Sequence, residues 1–232
     1  MPSAAIDYSL NDIDTVTGRY VLGDETAASG RDVLACRLKT ISPTEFVATA
    51  PAVGSIGEVV RADFGPFGAL HGRISRHVED GFVVKLDGAR AAQALLAERI
   101  EAFRRQPQSE EAADRRMGGR YLPAEPRSML FAGPDIAVSC MIVDYSATGA
   151  VISAETRPAI GTAVTVGHML AHVVRQYEFG FAMRFDNPHP DDDIETLLET
   201  PRAWRKAMAI LPTAAVETAD DSLSGHDGYG YD

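Results

Sequence analysis

The chain has 232 residues, 45% hydrophobic and 24% charged, which is long for one small domain, comfortable for two, and neither collagen-like nor wholly disordered. A net charge of −11 disfavours nucleic acid or an anionic membrane as partner, since such binders show a basic face, but a small anion gripped locally remains open. No apolar run approaches the ~20 residues of a membrane span, and Met1 to Asp14 carries acids where a signal peptide carries lysines, so the expectation is a cytoplasmic chain without membrane insertion.

From the N-terminus, short apolar runs punctuated by Gly, Pro and Ser-Pro predict strands at Val33 to Leu38, Phe46 to Thr49, Val59 to Phe64, Leu70 to His77 and Phe82 to Leu86. A helix follows, in which Ala92, Leu96, Ile100 and Phe103 share one face. Residues 106–114 (QPQSEEAAD) have no apolar periodicity and read as a linker. Strand patterns return at Ile136 to Val143, Ala150 to Ser153, Ala163 to Val166, His172 to Gln176 and Phe181 to Phe185. Asp191 to Asp193 then supply an N-cap and first-turn charge for a helix carrying Ile194, Leu197 and Leu198, with Pro201 interrupting before Trp204 to Ile210. The last stretch, 213–232, holds five acids and no Lys or Arg, the composition of a disordered tail.

The two strand sets are copies of one another. At an offset of 104, Cys36 falls on Cys140, Ser42 on Ser146, Thr44 on Thr148, Ala50 on Ala154, Gly57 on Gly161 and Val60 on Val164. Five extra residues around Gly65 to Ala69 then change the offset to 99, where RHVEDGFVVKLD (76–87) faces RQYEFGFAMRFD (175–186). Two matched stretches in one order with a single insertion indicate duplication. The fold class expected is therefore all-β: two small six-stranded antiparallel barrels in tandem, each followed by a helix, over residues 15–105 and 115–212. Cys36 and Cys140 are read as buried thiols in a reducing compartment.

Nineteen of the 22 basic residues are arginine, whose planar fork matches phosphate and the guanine edge, although a GC-rich genome explains the bias as well. Just after the linker, DRRMGGRYLP places Arg116 and Arg120 in an R-x-x-x-R pair beside Arg115, with Gly118 and Gly119 letting the backbone bend. Downstream, Asp144, Ser146 and Gly149 form D-x-S-x-x-G at a strand-to-strand turn. A second occurrence, Asp220, Ser222 and Gly225, lies in the tail without flanking strands. A guanidinium can donate two parallel bonds to a phosphate or to guanine O6 and N7, and a carboxylate can accept from guanine N1–H and N2–H. The bland readings are solvated linker charges and an Asx-type turn.

The R-x-x-x-R loop and the D-x-S-x-x-G turn together, followed by Gly180-Phe181 before a strand, resemble the PilZ family of cyclic di-GMP receptors over the whole second repeat. That resemblance implies a six-stranded barrel. Cyclic di-GMP would be held by Arg115, Arg116 and Arg120 on the loop side and by Asp144, Ser146 and Gly149 on the barrel side. It implies no catalysis, no cofactor or metal beyond that ligand, and an effector protein as further partner. Ligand binding would order residues 106–120 and change how the barrels sit. Aligning Gly18-Arg19-Tyr20 with Gly119-Arg120-Tyr121 puts Thr15 in the place of Arg116, while Thr40 and Glu45 stand for Asp144 and Gly149. The first barrel is thus expected to be a degenerate copy that binds no nucleotide. The alternative is an interaction module in which neither barrel binds one. His168 and His172 lack further ligands at metal spacing, and no Ser-His-Asp arrangement or P-loop is present.

Overall fold

The computed structural model describes residues 9–11, 13, 15–23, 32–105, 119–133, 136–187 and 189–200. The expected linker, Arg115, Arg116, the helical stretch 204–210 and the tail lie outside the described residues.

The first repeat contains β1 (Leu10–Asn11), β2 (Thr17–Leu22), β3 (Leu34–Ile41), β4 (Glu45–Thr49), β5 (Val59–Asp63), β6 (Ala69–Val78), β7 (Gly81–Leu86) and helix α1 (Arg90–Arg105). All its strand pairs are antiparallel, and β2, β3, β4, β7, β6 and β5 close a ring of six, with β1 laid on the far end of β3. The second repeat contains β8 (Arg127–Phe131), β9 (Ala137–Ser146), β10 (Gly149–Ser153), β11 (Ala163–Val166), β12 (Met169–Tyr177), β13 (Gly180–Phe185) and helix α2 (Asp191–Leu198). Its strands close in the order β8, β9, β10, β13, β12, β11. The tandem six-stranded barrels expected from the sequence are present, each followed by a helix.

Alternation drives the closure, because successive side chains of a strand face opposite sides. Leu34, Cys36, Leu38, Phe46, Ala48, Phe82 and Val84 point into the first core; Cys140, Ile142, Ala150, Ile152, Phe181 and Met183 point into the second. Both cysteines are free, and burial pushes their thiols well above the usual range. The five-residue insertion brings Phe67 into the first core, where it meets Phe103 of α1 at 5.1 Å and its carbonyl accepts from Arg99 Nη1 at 2.7 Å. Helix α2 seats Ile194 and Leu198 on the second core, and the Leu198 carbonyl accepts from Ser128 Oγ at 2.6 Å. The helix opens on Pro190 with no side-chain cap; the aspartates sit in its first turn instead of capping it.

Several outward positions are buried too. On β3, Ala35 and Arg37 alternate with the core residues yet are each 2% exposed; Thr49, Val83, Met141, Val151 and Ser153 behave likewise and belong to neither core. Outward residues are hidden because the barrels dock on one another, β3 against β9. The Ala35 amide donates to Ser153 Oγ, which donates on to the Phe179 carbonyl, both at 2.8 Å. Each barrel also sends an arginine from its first ring strand to the other's last hairpin. Arg127 of β8 donates to the Glu79 carbonyl at 3.0 Å, while Arg19 of β2 lies 5.1 Å over the Phe179 ring and 3.7 Å from Glu178. Since Glu79 and Glu178 are repeat counterparts, the interface has approximate two-fold character.

Candidate ligand site at the entry to the second barrel

Strand pairing corrects the alignment of the two barrel entries. β2 pairs with β3 and β5 as β8 pairs with β9 and β11, and Gly18 opposes Cys36 where Ser128 opposes Cys140. Arg19 therefore corresponds to Met129, not to Arg120. The counterpart of the isolated Tyr121–Tyr145 bridge is the Leu10–Ile41 pair, which sets Ser9 in the place of Arg120. The shared Gly-Arg-Tyr triplet is a coincidence of sequence, and the first barrel lacks the second arginine of the pair altogether.

In the second barrel the strands bring Arg120 and Asp144 together. Asp144 lies at a β-bulge: Val151 pairs with Asp144 and Ile152 with Ile142, so Val143 is the extra residue. A bulge re-aims the side chains beside it. The Asp144 carboxylate accepts from Arg120 Nη1 in an ion pair whose side chains stay 26% and 48% exposed, leaving the rest of the guanidinium fork at the surface. Gly119, immediately before, has φ +82°, a left-handed conformation that favours glycine; nothing stands within 4 Å of a Cβ placed there.

Ser146 and Gly149 have structural duties. Ser146 Oγ donates to the Gly149 carbonyl at 3.3 Å and accepts from the Thr148 amide at 3.4 Å. Ser42 builds the same turn in the first barrel, bonding the Glu45 carbonyl at 3.1 Å and the Thr44 amide at 3.3 Å. A Cβ at Gly149 would meet the Met183 carbonyl at 2.2 Å, so glycine lets β10 approach β13 closely. Of the six expected site residues, the four among those described share one end of the second barrel; Arg115 and Arg116 precede this segment in the chain.

The segment after Arg120 is held at Tyr121, Pro123 and Ala124. Tyr121 and Tyr145 exchange backbone hydrogen bonds of 2.7 and 2.9 Å, and their rings stack at 5.5 Å. The buried Pro123 carbonyl accepts from Arg37 Nη1, and the Ala124 amide donates to Glu195 Oε1 at 2.5 Å. Glu195 Oε2 accepts from Tyr145 OH at 3.0 Å, tying helix α2 both to the Tyr145 side of the stack and, through Ala124, to the segment itself. Sequence reading missed Tyr145, Glu195 and Arg37, because they act on the loop from three separate elements. His172 Nδ1 lies 2.6 Å from Asp186 Oδ1, and no cluster of three metal-ligating residues occurs among the described residues.

No family model matches the chain, and no curated protein does. Solved structures similar to it include PlzA of Borreliella burgdorferi in complex with c-di-GMP, at 8% identity and TM-score 0.27, covering 78% of this chain and 85% of that one. The Bacillus subtilis inhibitor of motility MotI/DgrA is similar at 12% identity and TM-score 0.25, covering 79% and 93%. MrkH of K. pneumonia in its c-di-GMP complex is similar at 11% and 0.25, covering 78% and 83%. Scores this low carry no argument; fold and site stand on the chain's own strands and residues. No described helix is long and apolar enough to cross a membrane.

Proposed function

We propose that the chain is a non-enzymatic, cytoplasmic receptor of the PilZ kind, which binds cyclic di-GMP at the entry of its second barrel and passes that state to an effector protein. Arg115, Arg116 and Arg120 grip phosphates and guanine edges, and Asp144 supplies the barrel-side carboxylate. Ser146 and Gly149 shape the wall behind it. The observation that carries the reading is the meeting of Arg120 and Asp144, 24 residues apart in sequence, at a surface where the guanidinium keeps donors available. Their pairing also pre-orients the fork, which lowers the entropy lost on binding.

Equilibrium binding of cyclic di-GMP to Arg120→Ala and Arg116→Ala tests the assignment. Each substitution removes a charge-assisted contact worth roughly 1.5 to 3 kcal/mol, so affinity should fall about 10- to 150-fold. Near-native affinity in both variants would reject the site. In the interaction-module reading, Arg120 and Asp144 are merely a surface ion pair, and the unsubstituted chain binds no cyclic di-GMP.

A further inference from the structure

Arg37 belongs to the first barrel, yet its guanidinium ends on the second barrel's arginine segment. It faces outward on β3, is 2% exposed, and donates through Nη1 to the carbonyl of Pro123, three residues after Arg120. Burying a guanidinium is costly unless it is hydrogen-bonded, so a residue retained there needs a purpose. The barrel itself does not require it: its repeat counterpart is Met141, which occupies the same place on β9 and is 0% exposed. Of the contacts described for residues 120–124, those from Asp144, Tyr145 and Glu195 come from the second repeat. Arg37 alone among them crosses from the first.

We infer that Arg37 is a positioning residue for the ligand loop: by holding the Pro123 carbonyl it fixes residues 119–124 and so aims Arg120, making the docked first barrel part of the second barrel's grip. The inference rests on the receptor reading for its ligand, but the anchoring itself is measurable without one.

The test uses the full chain carrying Arg37→Met, the residue of the other repeat, and Arg37→Lys, which keeps one cationic donor. Hydrogen exchange without ligand should accelerate about tenfold or more at the Tyr121 and Ala124 amides in Arg37→Met, the scale of one lost hydrogen bond, with β10 and β13 unchanged. Arg37→Lys should restore much of the protection. The dissociation constant for cyclic di-GMP should rise several-fold in Arg37→Met and recover in Arg37→Lys. Unchanged exchange at Tyr121 and Ala124 overturns the inference, as does faster exchange with wild-type affinity. If Arg37→Met fails to fold, native-like exchange and affinity in Arg37→Lys support a donor role, and loss of both in a folded Arg37→Lys variant contradicts it. Should the wild-type chain bind no cyclic di-GMP, the receptor reading fails, and the exchange arm alone decides whether Arg37 holds the loop.

Discussion

At the scale of single residues, the D-x-S-x-x-G pattern mixes two duties that strand geometry separates. Ser146 closes the same turn as Ser42, and Gly149 admits a close carbonyl, so both would be needed in a barrel that bound nothing. Gly149→Ala drives a Cβ into the Met183 carbonyl and should cost about 1 to 3 kcal/mol of stability by overpacking, read as a lower urea midpoint. An unchanged midpoint would contradict the close approach. Asp144 was recognisable from its motif, whereas Glu195 and Arg37 were not, since only the folded chain brings α2 and β3 to the loop. Glu155 illustrates the electrostatics of the interface: burial, then the nearby Asp32, raises its carboxyl above the usual range, while Asp32 also pairs with Arg157 at 2.7 Å. A raised value means the folded state favours the protonated form. Its stabilising contribution is complete below the unfolded value of about 4.3 and is lost as pH rises through the folded one. Glu155→Gln should therefore raise the Tm at pH 7 by about 1 to 3 °C, discounted for partial exposure, and converge with wild type below about pH 4. A lower Tm at pH 7 would reverse the sign.

At the scale of elements, the repeat made most strands legible, because alternating apolar positions recur at two fixed offsets. β2 and β8 escaped. β2 alternates in burial, but its buried Gly18 offers no apolar side chain to mark the period, and β8 runs Ser128, Met129, Leu130 all buried and shows no period-two contrast. Missing them allowed the Gly-Arg-Tyr triplets to be aligned in error; pairing partners, not local identity, settle the register. The correction strengthens the expectation for the first barrel, which has Ser9 for Arg120, Thr40 for Asp144 and Glu45 for Gly149. A carboxylate where a phosphate would approach is repulsive. The double variant Arg116→Ala, Arg120→Ala should consequently show no residual cyclic di-GMP binding by calorimetry. Surviving micromolar binding would reveal a second site in the first barrel.

At the scale of the whole molecule, the duplicated interface joins β3 to β9 through the buried Ala35, Arg37 and Ser153, with Arg127 and the exposed Arg19 each reaching the other barrel's last hairpin. Burial lowers the Arg127 guanidinium from its usual value, and the Asp80 carboxylate offsets part of that. A ligand can shift such an arrangement only by contacting its alternatives unequally. Arg115, Arg116 and Arg120 stand where the connection between barrels ends, so ligand contacts there should order residues 106–120. Hydrogen exchange at saturating cyclic di-GMP should show new protection across that segment; unchanged protection would remove the ordering step while leaving binding intact. A receptor of this kind must select a guanine dinucleotide. Calorimetric titration of the full chain with cyclic di-GMP and, in parallel, cyclic di-AMP is the direct test. Adenine lacks the O6 acceptor and N2 donor that an arginine fork and a carboxylate read, at about 1 to 3 kcal/mol per bidentate pair. We predict saturable binding of cyclic di-GMP, at least about tenfold tighter than cyclic di-AMP and weakened about 10- to 150-fold in Arg120→Ala. Equal affinity for the two dinucleotides, or no binding of either, would contradict it.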